Sequence, residues 1–238
     1  MTRKPVGPLA TVPRSWAGET AVCIASGPSL TAEDVNYCRG KARTIVVNTS
    51  YKLALWADVL YACDTKWWTW HDGAKDFPGL KYTITAPPYG DVQRLQNTGT
   101  TGLETKPTGL RTGKNSGYQA INLAFHFGVS RILLLGYDMT FGPKGETHWH
   151  GDHKDRARPP LLAFVPMFLG LVQPLAVAGV SLVNCSRRTA LTCFPRQTLE
   201  EALPNACHSS SSDDHESASP ADVSQRDEDS HSEGITIE

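Results

Sequence analysis

Residues 21–31 read Ala21-Val22-Cys23-Ile24-Ala25-Ser26-Gly27-Pro28-Ser29-Leu30-Thr31. The first five are small or branched and apolar, the pattern of a strand buried on both faces. The run stops at Gly27-Pro28, a turn dipeptide. Ser29 and Thr31 then stand where an N-cap opens a helix over residues 32–38. Strand, tight glycine turn and helix start make a cradle for an anion: glycine admits close backbone approach, and the first helical amides point at the ligand. An ordinary α/β turn has the same order of parts, so the stretch speaks first to fold class.

Outward from this unit the alternation continues. Arg43-Thr-Ile-Val-Val-Asn48 is a second β-branched run with a polar end, and residues 51–56 can form a short helix. Residues 57–63 read as a third strand ending at Asp64, followed by a helix start crowded with Trp67, Trp68 and Trp70. Residues 81–85 read as a fourth strand. Residues 86–114, rich in Gly, Thr, Pro and Asn, have little period and read as a long loop of the kind that either covers a site or is disordered. Residues 115–128 carry the clearest helical pattern, with Gly128 as its C-cap. Arg131-Ile-Leu-Leu-Leu-Gly136 is the most hydrophobic strand and is expected at the centre of the sheet. Residues 181–184 supply a last strand and 198–203 a last helix. Repeated strand–helix alternation predicts a doubly wound, mostly parallel Rossmann-like sheet with helices on both faces.

A chain of 238 residues suits one sizeable domain with appendages. The expected organisation is a loose N-terminal arm at 1–19, a nucleotide-binding catalytic domain at 20–206 and a disordered tail at 207–238. The tail is rich in serine and carries nine acids against one arginine. It holds −8 of a total of −1, so residues 1–206 stand at +7. A basic body suits an anionic ligand, and no specific nucleic-acid motif accompanies it. The six cysteines form no C-x-x-C pair. Cys23, Cys63 and Cys185 fall in or beside strands and read as free thiols of a reducing, cytoplasmic setting. No secretory signal is visible. Residues 161–182 carry no charge and are long enough to span a bilayer, but they contain Pro166, Gln173 and Pro174. Residues 160–178 are therefore expected as a kinked helix buried on the sheet, with lipid contact or a homo-oligomer face as the alternatives.

In such a sheet, ligands bind beyond the carboxyl ends of the strands. Those ends present Ser26-Gly27-Pro28-Ser29, Asn48, Asp64 and Gly136-Tyr137-Asp138, and Asn115-Ser116-Gly117 adds a second helix start. After Asp138 comes Thr147-His148-Trp149-His150-Gly151-Asp152-His153. Three imidazoles and a carboxylate so close together could supply a general base, contact phosphate or bind a metal. A zinc site would want better separated ligands, so no metal is expected. Lys154, Arg156 and Arg158, with Arg187, Arg188 and Arg196 later, suit phosphate or carboxylate, or a solvated face.

These motifs together resemble two related groups: the bacterial sialyltransferases that use a CMP-activated sugar, and the 6-hydroxymethylpterin diphosphokinase-like family (DUF115). The resemblance rests on Ile24 to Leu30, Val47-Asn48, the strand end at Asp64, Asn115-Ser116-Gly117, and Gly136-Tyr137-Asp138 with its histidine loop. The first group implies a nucleotide held by Ser26, Gly27, Pro28, Ser29 and Asn48. It implies further contacts at Asp64, where that family carries Asn, at Asn115, Ser116 and Gly117, and at Gly136 and Asp138. Its catalytic His implies a base at His153, with His150 as second choice and His148 and Asp152 beside them. The implied partners are a CMP-sugar donor and a hydroxyl-bearing acceptor. The second group implies instead a Mg²⁺-bound triphosphate, with Asp64 and Asp138 as ligands. A third reading, from the residues alone, is a silent nucleotide-binding module that uses the tryptophan cluster and the acidic tail as contacts.

Overall fold

A computed structural model describes residues 8–86, 89–151 and 158–204. Strand β1 (Thr20–Ile24) leads to α1 (Ala32–Tyr37) and β2 (Arg43–Val47). A 3₁₀ segment (Asn48–Leu53) precedes β3 (Val59–Tyr61) and α2 (Thr65–Trp70). Then follow β4 (Leu80–Thr83), β5 (Val92–Arg94), β6 (Gln96–Asn97) and β7 (Gly109–Leu110). Helix α3 (Ser116–Phe127), β8 (Arg131–Leu135), α4 (Leu161–Val177), β9 (Ser181–Asn184) and α5 (Leu199–Ala202) complete the order.

Seven strands form one all-parallel sheet in the order β5-β4-β3-β2-β1-β8-β9. The chain winds outward from β1 through β5, then returns to the other side of β1 with β8. The strand order therefore reverses between β1 and β8, which in a doubly wound sheet opens a crevice at the carboxyl edge. Alternate residues of β1 face opposite layers. Ala21 and Cys23 pack with α3 and α4, whereas Val22 and Ile24 pack with α1, α2 and α5. Helices thus cover both faces, as the alternating apolar runs require.

Several expectations are corrected. β8 is interior but second from the edge; β2 is the middle strand. Hydrophobicity reports burial on both faces, which any interior strand has, and not rank in the sheet. The long loop contains β5, which extends the main sheet, and the small β6–β7 pair. Three- and two-residue strands are too short to leave a period in the sequence. The arm is not loose over its described part. Val12 and Trp16 are buried, and Trp16 stacks on Phe127 with ring centroids 3.9 Å apart. Trp67 and Trp68 belong to the core, donating to Thr49 Oγ1 and the Ala62 carbonyl, so only Trp70 of that cluster is exposed. Helix α4 forms, but it buries one side only, through Phe168, Leu171 and Leu175; Leu162, Leu169 and Val177 face outward. Among the described residues no helix is long and apolar enough to cross a membrane. Cys23 and Cys185 are buried and free, and burial pushes the Cys23 thiol up to about 12. The acidic tail lies outside the described residues.

Candidate nucleotide cleft

The carboxyl ends of β1, β2, β3 and β8 and the start of α3 enclose a cavity of about 300 Å³. Of the residues singled out from sequence, Ser26, Gly27, Pro28, Asn48, Asp64, Asn115, Ser116, Gly117, Gly136, His148 and His150 line it. Ser29 and Asp138 do not. His153 and Asp152 lie outside the described residues, as do Lys154 and Arg156.

The Gly27 turn is built differently from an open anion cradle. The Gly27 amide donates to the Gly136 carbonyl at 2.8 Å. Pro28 has no amide hydrogen. The Ser29 amide donates to Asp138 Oδ2 at 2.8 Å, and its hydroxyl donates to Oδ1 at 2.8 Å. The amides expected to hold an anion are thus engaged within the protein. The turn is a clasp between the ends of β1 and β8, with Asp138 as its buried anchor. The approach is close enough to need glycine twice: a Cβ on Gly27 would lie 2.2 Å from Asp138 Oδ1, and one on Gly136, at φ +71°, 2.9 Å from the Ala25 carbonyl. Burial raises the Asp138 carboxyl above its usual range, and the two bonds from Ser29 oppose that rise.

Among the described residues, amides ahead of any intrahelical acceptor lie instead at the start of α3. Asn115 is its N-cap and takes the Tyr118 amide at 2.9 Å. The amides of Ser116 and Gly117 precede any intrahelical acceptor, and both residues face the cavity. A twelve-residue helix lends them a positive dipole end. Lys114, which sequence reasoning missed, lines the cavity next to the start of α3, and Arg158 lines it too. Lys114 lies inside the featureless stretch before the helix, so no sequence period marked it.

The histidine loop reaches the cleft through Trp149. Its amide donates to the Ser26 carbonyl at 3.1 Å, and its indole Nε1 donates to Ser50 Oγ at 3.1 Å. Ser50 Oγ in turn lies 2.9 Å from Ser26 Oγ and donates to the Ala25 carbonyl at 2.8 Å. This network pins the loop to the end of β1 and turns His148 and His150 into the cavity, stacked with ring centroids 5.1 Å apart. Neither Ser50 nor Trp149 carried a sequence signal, because each acts through partners distant in the chain.

The later arginines serve the fold. Arg187 makes a two-pronged pair with buried Asp34 at 2.7 and 2.8 Å. Arg188 donates to the Phe141 carbonyl and Arg196 to the Ser186 carbonyl. The donor set for Mg²⁺ does not assemble as expected: both Asp138 oxygens accept from Ser29, and Asp138 stays out of the cavity that Asp64 lines. Among the described residues, no group of three His, Cys, Asp or Glu side chains is arranged to hold a metal ion.

Fold and cleft together define a Rossmann-like α/β protein with its crevice at the strand-order reversal. No protein-family model matches the chain, and no curated protein matches it. Among solved structures, it is similar to the sialyltransferase CstII from Campylobacter jejuni, determined in complex with a substrate analogue, cytidine-5′-monophosphate. That likeness covers 76% of this chain and 86% of that one, at 10% identity and a TM-score of 0.45.

Proposed function

We propose that the protein is a transferase that moves a sugar from a nucleotide-activated donor, a CMP-sugar in the first instance, to a hydroxyl acceptor. The observation that carries this reading is the meeting, in one cleft, of an anion-ready helix start and two imidazoles. The donor phosphate sits on the Ser116 and Gly117 amides, with Lys114 beside it. An imidazole takes the proton of the acceptor hydroxyl. The freed oxygen attacks the anomeric carbon of the sugar, whose bond to the phosphate oxygen breaks, and the nucleotide departs as its monophosphate. His153 is the base implied by the family resemblance. Within the described cleft the role falls to His150, stacked on His148. The amides and cations at the leaving phosphate steady its growing charge.

The test is a thermal-shift panel of CMP, CMP-sugars, UDP-sugars and ATP, each with Mg²⁺ and with EDTA. CMP should stabilise the chain in either condition, by about 2.7 kcal/mol at a hundredfold excess over Kd. Stabilisation by ATP only with Mg²⁺ would favour the diphosphokinase reading. No response to any nucleotide would remove the transferase reading.

A further inference from the structure

We infer that Ser50 and Trp149 are positioning residues for the transfer proposed above: the bond between the Ser50 hydroxyl and the Trp149 indole holds the histidine loop at the angle that turns its imidazoles into the cleft. The inference rests on the transferase reading and adds to it how the base is kept in place. Neither residue lines the cavity, so neither meets the ligand. Both act through His148 and His150, the chain neighbours of Trp149.

Ser50 is fully buried on the 3₁₀ segment after β2, where Asn48, at φ +51°, turns the chain out of the strand. Its hydroxyl has one proton and two lone pairs. The proton goes to the Ala25 carbonyl at 2.8 Å, which can only accept. The Trp149 indole, which can only donate, takes one lone pair at 3.1 Å. Ser26 Oγ, 2.9 Å away, therefore supplies the proton of the third bond. The capacity of the hydroxyl is fully used, and one of its three partners is the histidine loop. An alanine at this position satisfies none of the three and leaves the indole N–H without its acceptor.

Trp149 is tied at a second point, where its amide donates to the Ser26 carbonyl at 3.1 Å. Its ring packs against the core layer that holds Val22 and Ile24. The backbone bond fixes where the chain passes, and the indole bond fixes how the residue is turned about it. His150 meets the indole at right angles with ring centroids 5.2 Å apart, and stacks with His148. An indole held at one angle thus sets the angle of the imidazole beside it. A general base works only within hydrogen-bond reach of the acceptor hydroxyl, and a displacement of about 1 Å costs on the order of a hundredfold in rate.

The experiment compares the full chain with Ser50→Ala, Trp149→Phe and the double variant, each checked by its unfolding midpoint. Trp149→Phe keeps an aromatic ring and removes the N–H. With a CMP-sugar as donor, kcat should fall about tenfold to a hundredfold in each single variant, while KM for the donor stays within about threefold. The double variant should fall no further, because both changes remove the same bond. Diethylpyrocarbonate, which acylates neutral imidazoles, gives a second readout. His148 and His150, located by peptide mass spectrometry, should react about fivefold faster in either single variant, the size of one lost hydrogen bond. Losses of kcat that add in the double variant would mean that Ser50 serves only the fold, and would overturn the inference. Unchanged acylation in both single variants would overturn it as well. If Ser50→Ala fails to fold, Trp149→Phe decides by kcat and acylation alone. If the unaltered protein transfers sugar from no CMP-sugar, it is the transferase reading that fails, and the acylation rates still decide whether this bond holds the imidazoles.

Discussion

Replacing Asp138 with alanine tests whether the first turn is a clasp. Asp138 is 1% exposed and accepts two bonds from Ser29, each 2.8 Å long. A hydrogen bond to a charged partner contributes about 1.5–3 kcal/mol. The sum is not realised in full. Alanine also relieves the burial cost that raises this carboxyl, and half-buried Ser29 can regain water. A net loss of about 2–3 kcal/mol results, or about 4–12 °C in Tm for a domain of this size. Asp138→Asn retains one acceptor for the Ser29 amide, and its Nδ2 can donate to Ser29 Oγ, so it should lose less than half as much. Urea unfolding followed by tryptophan fluorescence reads both variants. A cycle with Ser29→Ala then isolates the Oγ–Oδ1 pair, for which coupling of about 1 kcal/mol is expected. The pH dependence adds a second readout. The folded pKa lies above the unfolded value of 3.8, so the folded state binds more protons in that window. The contribution is fully present below 3.8 and is lost as pH rises through the folded pKa, a slope Asp138→Asn should lack. Additive effects of Ser29→Ala and Asp138→Ala, or a loss under about 0.5 kcal/mol in Asp138→Ala, would refute the clasp.

Buried His126 donates from Nε2 to the Gly109 carbonyl at 2.8 Å, and burial lowers its pKa below 6.5. Its contribution is therefore complete above pH 6.5 and lost as pH falls towards the depressed value; His126→Gln should flatten that slope in denaturant midpoints on either side of pH 6.5. Phe168 is fully buried edge-on to Tyr118, Tyr137 and Phe194, so Phe168→Ala should lose about 3–5 kcal/mol. Leu169, its neighbour, is 62% exposed, and Leu169→Ala should stay within about 0.5 kcal/mol by the same unfolding assay. His150→Ala should keep the CMP thermal shift while turnover of a CMP-sugar drops about 10²–10⁴-fold; full turnover would pass the base role to another imidazole.

The fold was legible because parallel strands buried on both faces leave continuous apolar runs, as at 21–25, 45–47 and 132–135. Cap chemistry marked the helices: Asn115 and Gly128 bracket α3, and Thr198 opens α5 with a capping box. What was not legible depends on pairs far apart in sequence. Nothing near Asp138 announces that its carboxylate is taken by a serine 109 positions earlier. Nothing near Trp149 announces its bond to Ser50. The exposed side of α4 was hidden by its composition, since an all-apolar helix reads as buried whether or not a second layer covers it.

Under the proposed function, the engaged amides of the first turn leave the start of α3 as the place for the anion. A glycine turn after a strand can serve a ligand or its own fold, and the choice depends on what faces its N–H groups. At Gly27 and Ser29 those groups face the Gly136 carbonyl and Asp138. A carboxylate behind the turn repels the phosphate that an open cradle would attract. The same clasp draws β1 and β8 together at the strand-order reversal and fixes the wall formed by Gly27, Pro28 and Gly136. In the same cavity, α3 begins with two amides ahead of any intrahelical acceptor and a lysine next to them in the chain. The first motif therefore shapes the cleft, and under the proposed function the anion would sit at the second helix start, whose Asn-Ser-Gly sequence looks the plainer of the two.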